Sequence, residues 1–436
     1  MKKLRILVTL LVAALTLATL SATRAEAQQQ HPSRARGAVT YTLNAKVLDG
    51  GQQIVSVTLN THRKGIVASS LSPATFTVHA KGTDPYGLDP ATVFGTFDVD
   101  RVVTGVHLDR RGNIVIDLKY GNAADGTGVE GASTFAWANG EGRNIMLDLA
   151  YTVTQNQPVT LRDGSTITFS SLKQGRVSDP EVDAYGYGKA AGLKYRLYKP
   201  RSHGSRPLII WLHGGGEGGW SRAYNNDLPL IANRGALGFS TREAQRIFGG
   251  AYVLVPQAND FWLNDAAQNY SARLKRLIDS VVKRNHVDRS RISVVGASNG
   301  GYMTPQLVAD NPGFFAANVP ICPVVVWNPT PSSDPVTMLT DAELSSIKTP
   351  TWVVQAKSDP VVPFEANGKH VAETVPGALL SAYDNVTWDG VTYNGHWSWI
   401  YVARNDPKTD QGQHIWQWLA AQSTHTRSGH QHHLHR

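Results

Sequence analysis

The chain has 436 residues, 41% of them hydrophobic and 17% charged. So apolar a chain can bury enough surface to offset the entropy of ordering, which excludes general disorder, and at roughly 100–200 residues per domain its length suits two or three domains. Cys322 is the only cysteine, so an intramolecular disulfide scaffold is excluded as well. The formal charge of +8 is concentrated at the ends, in Lys2, Lys3, Arg5, Arg24, Arg34, Arg36, Arg427 and Arg436. A nucleic-acid surface needs clustered charge on a folded face, so no nucleic-acid partner is expected.

In chain order, residues 1–27 read as a secretory signal peptide. Lys2, Lys3 and Arg5 precede the apolar run Ile6 to Leu20, and Ala25-Glu26-Ala27 offers a cleavage site. The run is shorter than the roughly 20 apolar residues that span a bilayer. The expected mature protein is secreted, begins near Gln28 with a linker over 28–36, and has no stable membrane insertion. From 37 to 171 the texture is all-β. Alternating runs at 40–47, 75–79, 101–106 and 113–118 are separated by turn clusters such as Asp49-Gly50-Gly51 and Asp163-Gly164-Ser165. Short strands with regular turns predict a β-sandwich.

The texture then changes, with a boundary expected in the loop-rich stretch 172–185. Pro207 to Leu212, Ala251 to Val255 and Ile292 to Val295 read as buried parallel strands. Between them, Leu274, Leu277, Ile278, Val281 and Val282 recur at helical spacing. Strand–helix alternation predicts an α/β domain over 172–422. The tail, 423–436, is His-rich and is expected to be disordered, with no function assigned.

The chemistry concentrates in the α/β part. Gly296-Ala297-Ser298-Asn299-Gly300 follows a strand and opens a helix running to about Asp310. A serine at such a turn projects its hydroxyl above the sheet, and the tight turn leaves room only for glycine two residues either side. Gly131-Ala132-Ser133-Thr134 is a near match in the β region, without the second glycine. Upstream, His213-Gly214-Gly215-Gly216-Glu217-Gly218-Gly219 also follows a strand. Its backbone N–H groups, from Gly215 or Gly216, would form an oxyanion hole with the N–H of Asn299. His213 would orient this loop.

A serine nucleophile needs a base, and the base an orienting carboxylate. His370 and His414 fall in helical patterns, whereas His396 lies in the loop Tyr393-Asn394-Gly395-His396-Trp397. Catalytic side chains favour loops on a rigid scaffold, which selects His396. Asp359 ends the strand-like run from Pro350, at the carboxyl end where ligands bind in open α/β sheets. Asp310, Asp334, Asp341, Asp384 and Asp389 lack that placement. Trp262 and Trp397 are candidate substrate-binding residues, and Trp220 flanks the oxyanion loop. Cys322 reads as a buried structural thiol.

Together the HGGG-type loop at 213–216, Gly-Ala-Ser-Asn-Gly-Gly-Tyr-Met at 296–303, Ser-Asp-Pro-Val-Val-Pro at 358–363 and Gly-His-Trp-Ser-Trp at 395–399 carry a resemblance. The chain is similar to secreted bacterial carboxylesterases of the α/β-hydrolase fold with an N-terminal immunoglobulin-like domain. Those are related to prolyl-oligopeptidase-type peptidases, feruloyl esterases and polyhydroxybutyrate depolymerases. The resemblance implies a Ser298–His396–Asp359 triad, an acyl-enzyme mechanism and no metal or organic cofactor. The implied substrate is a small or polymeric ester, of plant-polysaccharide or polyester origin. One departure is Gly218, where relatives often carry an arginine; it bears on loop packing and substrate fit. Competing readings are a serine peptidase and a polysaccharide-binding or adhesion protein acting through the β-sandwich.

Overall fold

The computed structural model describes residues 38–61, 64–169, 171–328 and 333–425. The expected signal peptide, the expected linker and nearly all of the His-rich tail lie outside the described residues. The N-terminal part is a sandwich of two sheets. A five-stranded sheet runs in the order β8-β1-β2-β6-β5, and a three-stranded one in the order β7-β3-β4. The strands are β1 (Val39–Leu48), β2 (Gly51–Leu59), β3 (Phe76–Thr83), β4 (Phe97–Arg101), β5 (Val103–Leu108), β6 (Ile114–Leu118), β7 (Asp148–Gln155) and β8 (Leu172–Ser178). Alternation sends Leu43, Ala45, Ile54, Val57, Phe76, Val78, Ile114 and Ile116 into the space between them. The run expected as one strand over 101–106 is broken at Val102, with Arg101 ending β4 and Val103 opening β5.

The stretch 172–185, expected as a loop-rich boundary, opens with the strand Leu172–Ser178. It pairs parallel with β1, Val39 facing Leu172 and Leu43 facing Val177, so the sandwich sheet continues past residue 171 to Ser178. Its weak local alternation conceals this pairing, which is set by a strand far away in sequence. A small extra sheet leaves the sandwich toward the second domain. It consists of Val93–Phe94, Phe135–Ala138 and Arg143–Met146.

The second part is built on an eight-stranded sheet in the order β9-β10-β12-β11-β13-β14-β15-β16. These are β9 (Tyr185–Ala190), β10 (Leu193–Tyr198), β11 (Arg206–Leu212), β12 (Tyr252–Gln257), β13 (Val287–Ala297), β14 (Ala317–Ile321), β15 (Trp352–Ala356) and β16 (Leu379–Tyr383). The first two join antiparallel and the rest run parallel. Both faces are covered, hence the continuous apolar runs. Ile209, Trp211, Val253 and Val295 pack on one face, and Leu208, Ile210, Leu212, Leu254 and Val294 on the other.

Helix α1 (Tyr270–Arg284) buries Leu274, Leu277, Ile278, Val281 and Val282, the apolar stripe of the sequence. Each fully buried aliphatic side chain there contributes about 1.5–3 kcal/mol. Lys283 and Arg284 in its last turn complement the helix dipole. Helix α2 (Asn299–Asp310) carries Pro305, which cannot donate to the Gly301 carbonyl; the Thr304 hydroxyl donates to that oxygen instead, at 3.2 Å.

Buried and half-buried ion pairs tie the two parts together. Arg404 Nη2 meets Asp49 Oδ2 at 2.7 Å, and Arg234 bonds both Glu181 (2.7 Å) and the Val47 carbonyl (2.7 Å). No helix among the described residues is long and apolar enough to cross a membrane.

Candidate active site

Ser298 stands between β13 and α2 with φ 56° and ψ −113°. A non-glycine residue in this region is strained, and such strain persists only where the surroundings enforce it. The flanking glycines show how they do so. A Cβ on Gly296 would lie 2.6 Å from the Gly300 carbonyl oxygen, and one on Gly300 would collide with the Leu212 carbonyl. The Ser298 N–H donates to Ile321 O at 2.8 Å, and its carbonyl accepts from Tyr302 N at 3.0 Å. The serine is thereby fixed at the carboxyl end of the parallel strands.

Asp359 follows β15 in a turn. Its Oδ1 accepts from the backbone N–H groups of Val361 and Val362, both at 2.9 Å, and its Oδ2 from Gln355 Nε2 at 3.2 Å. Gln355 is itself held by the Val362 carbonyl and the Gly368 N–H. Onto this carboxylate falls His396, whose Nδ1 lies 3.0 Å from Oδ1 and 2.9 Å from Oδ2. The Asp359 side chain is fully buried and that of His396 is 12% exposed. Of the three histidines weighed in the sequence, only His396 meets Asp359. His370 pairs with exposed Asp341 at 2.8 Å. His414 does not lie inside the terminal helix, as its sequence suggested; it precedes that helix, Ile415–Ala421, and its Nδ1 lies 2.6 Å from Asn405 O.

Cys322 links the serine to this pair. The residue before it, Ile321, accepts the Ser298 N–H at 2.8 Å, and the Cys322 sulfur lies within 4.8 Å of the Asp359 and His396 ligand atoms. Burial, reinforced by the Asp359 charge, pushes the Cys322 thiol well up. It is therefore a protonated thiol, which donates to the His396 carbonyl at 3.4 Å.

The glycine loop lies beside the serine. A Cβ on Gly214 would sit 3.8 Å from Ser298 Cβ, and one on Gly215 would sit 3.6 Å from Asn299 Nδ2. His213 is fully buried, and burial pushes its imidazole down to about 4. It is neutral: Nε2 accepts from Ala258 N at 3.0 Å, which leaves Nδ1–H to donate to Gly214 O at 2.6 Å. His213 thus fastens the loop to β12 and is not a base.

Glu217 closes the loop's short turn and is buried. Burial pushes its carboxyl up to about 7, against an ordinary value of 4.5. With a raised folded-state value, its stabilising share is complete below about pH 4.5 and is lost as pH rises through about 7. Glu217→Gln should remove this loss, making the variant more stable than the parent by roughly 2–3 kcal/mol at pH 8 and little different near pH 4. Urea midpoints across that range test it; a constant offset at every pH would show that Glu217 ionises as an ordinary carboxyl.

Two tryptophans were candidates for substrate contact. Trp397 is half-buried beside His396 and stacks against Tyr393 and Trp399. Trp262 needs correction. It is 0% exposed, its ring 5.0 Å from His213 and 5.1 Å from Tyr270, so it backs the loop from the core and lines no open pocket. Its place after a strand-end loop was legible, but not its inward direction.

Sequence reasoning missed Arg143. From the small sheet of the first domain it reaches into the second, bonding the Gly219 carbonyl and Asp260 Oδ1 (2.8 Å) and stacking 4.0 Å over Phe261. Its Nη1 would lie 3.2 Å from a Cβ on Gly218. At Gly218, the departure noted in the sequence, a guanidinium from the other domain thus lies against the loop. Asn144 and Trp137 of the same sheet flank Gly216. Nothing local marks these residues, because their partners are another domain's loop.

These features define an α/β-hydrolase preceded by an immunoglobulin-like domain. Residues 40–168 match the family described as the esterase Ig-like N-terminal domain, and residues 264–346 match the prolyl oligopeptidase family. The fold resembles that of a solved thermostable esterase, with a TM-score of 0.69 at 23% identity over 88% of this chain and 99% of that one. Among curated proteins, the chain is 32% identical to acylamino-acid-releasing enzyme 1 of Oryza sativa subsp. japonica, over 27% of this chain and 15% of that enzyme. It is 25% identical to cutinase 2 of Thermobifida cellulosilytica, over 47% of this chain and 72% of that protein. The chain spans no more than half the length of the first relatives it matches.

Proposed function

We propose that the protein is a secreted serine carboxylesterase. The observation that carries this reading is the Asp359–His396 pair, with Nδ1 to Oδ2 at 2.9 Å, at the same strand-end edge of the sheet as a serine held at positive φ on a strand-to-helix turn. Asp359 occupies Nδ1, which leaves Nε2 as the base. Among the described residues Ser298 Oγ makes no side-chain hydrogen bond; such contacts commonly tighten only when substrate binds.

In this mechanism His396 Nε2 takes the Ser298 proton as Oγ attacks the ester carbonyl. The N–H groups of Gly215 or Gly216 and of Asn299 stabilise the tetrahedral oxyanion, each worth about 3 kcal/mol. His396 then protonates the leaving alcohol. Water, deprotonated by the same nitrogen, releases the acid and restores the serine. Asp359 holds the ring and stabilises the imidazolium. Trp397, beside the base, would contact the substrate. The likeness to cutinases supports ester substrates, including polymeric ones, and the expected signal peptide supports export.

The match to the prolyl oligopeptidase family favours a second reading, a serine peptidase, since the same groups cleave amides. A panel of p-nitrophenyl esters and peptide anilides, presented to residues 28–436, separates the two. Ester turnover should exceed anilide turnover by at least about 10²-fold in kcat/KM. Anilide turnover equal to or above that of the esters would make it a peptidase.

A further inference from the structure

We propose that the small sheet of the first domain carries a subsite for a flat aromatic group of the substrate, with Trp137 and Phe94 as its floor. This rests on the ester-hydrolase reading and adds a substrate class to it.

In the sheet's register Phe94 faces Trp137, and Trp137 faces Asn144. Directly opposed residues share one face. Their chain neighbours Val93, Ala136, Ala138, Arg143 and Ile145 are all buried, so the row Phe94–Trp137–Asn144 is the outward face. Such a face is ordinarily polar. Here Phe94 is 58% exposed and Trp137 38%. Two adjacent aromatic rings left in water are a costly arrangement that marks an interaction surface.

The row also has a direction. Its inner end abuts the oxyanion loop: a Cβ on Gly216 would lie 3.1 Å from Asn144 Nδ2 and 3.4 Å from the Trp137 ring. Two residues earlier, Gly214 adjoins Ser298. Strands lie about 4.8 Å apart, so Trp137 and then Phe94 stand at successive steps outward from the loop. One arm of an ester whose carbonyl is held there would pass over Trp137 and then Phe94. The platform is rigid. Arg143, on the strand that carries Asn144, is locked to Gly219 and Asp260, and Trp137 Nε1 donates to Asn139 Oδ1 at 3.3 Å. The held indole, with the phenyl ring of Phe94 across the strand from it, presents flat faces that stack on aromatic rings.

The test compares ethyl 4-phenylbutyrate with ethyl acetate, whose acyl arm is too short to reach the platform, on residues 28–436. Trp137→Ala should lower the ratio of the two kcat/KM values about tenfold, chiefly through KM for the phenyl ester. Trp137→Phe should restore most of that ratio, and Phe94→Ala should lower it less. An unchanged ratio in Trp137→Ala and Phe94→Ala overturns the subsite, whether both rates fall together or neither falls. A parent protein inactive on both esters would instead remove the ester-hydrolase reading.

Discussion

Ser298→Ala is expected to lower ester kcat/KM by about 10⁴-fold or more, and to abolish the pre-steady-state burst of p-nitrophenol. In the proposed mechanism this hydroxyl forms the acyl intermediate. Its loss would leave the proposed oxyanion donors and the binding surface, which should sustain only a weak residual rate. Alanine keeps the Cβ and occupies the same backbone at φ 56°, so the fold should persist. Unaltered far-ultraviolet circular dichroism and a thermal midpoint near that of the parent would establish this. A variant that retained more than a tenth of the parent rate would take Ser298 out of the chemistry.

Asp359→Asn should lower kcat by about 10³–10⁴-fold with little change in KM. The reason lies in the partners of its two oxygens. Oδ1 accepts from the N–H groups of both Val361 and Val362, so the asparagine carbonyl oxygen must stay there. The amide NH₂ is then turned toward His396 Nδ1, which must accept a hydrogen bond where it previously donated one, and the 3.2 Å bond from Gln355 Nε2 is given up. The imidazole is forced into the tautomer with its proton on Nε2, and that nitrogen can no longer deprotonate Ser298. Geometry survives while the base is lost, which is why kcat should fall rather than binding. A fall of less than tenfold would show that another group orients His396.

What the sequence by itself determined is local in origin. The strand–Gly-x-Ser-x-Gly–helix segment is legible because its turn admits no Cβ at 296 or 300. The apolar runs of β11, β12 and β13 are legible because a sheet covered on both faces needs them. His396 and Asp359 could be selected by their positions in loops beyond strands, although their 2.9 Å contact joins residues on separate loops.

The tertiary structure alone decided which way side chains point and what meets across domains. Trp262 sits in a loop that reads as a pocket wall, yet packing against His213 and Tyr270 turns it wholly inward. Leu172–Ser178 belongs to the sandwich only because β1 offers it an edge. Arg143 and Trp137 lie in short strands that local alternation does not mark: Phe135 and Trp137 alternate with Ala136 and Ala138, yet it is the alanines that are buried. The partners of Arg143 and Trp137 are Gly216, Gly219 and Asp260, brought there by the docking of two domains. Periodicity and turn chemistry act over a few residues, so they leave a mark in the sequence. Contacts between distant segments depend on the summed packing of whole domains, and no short stretch of chain records them.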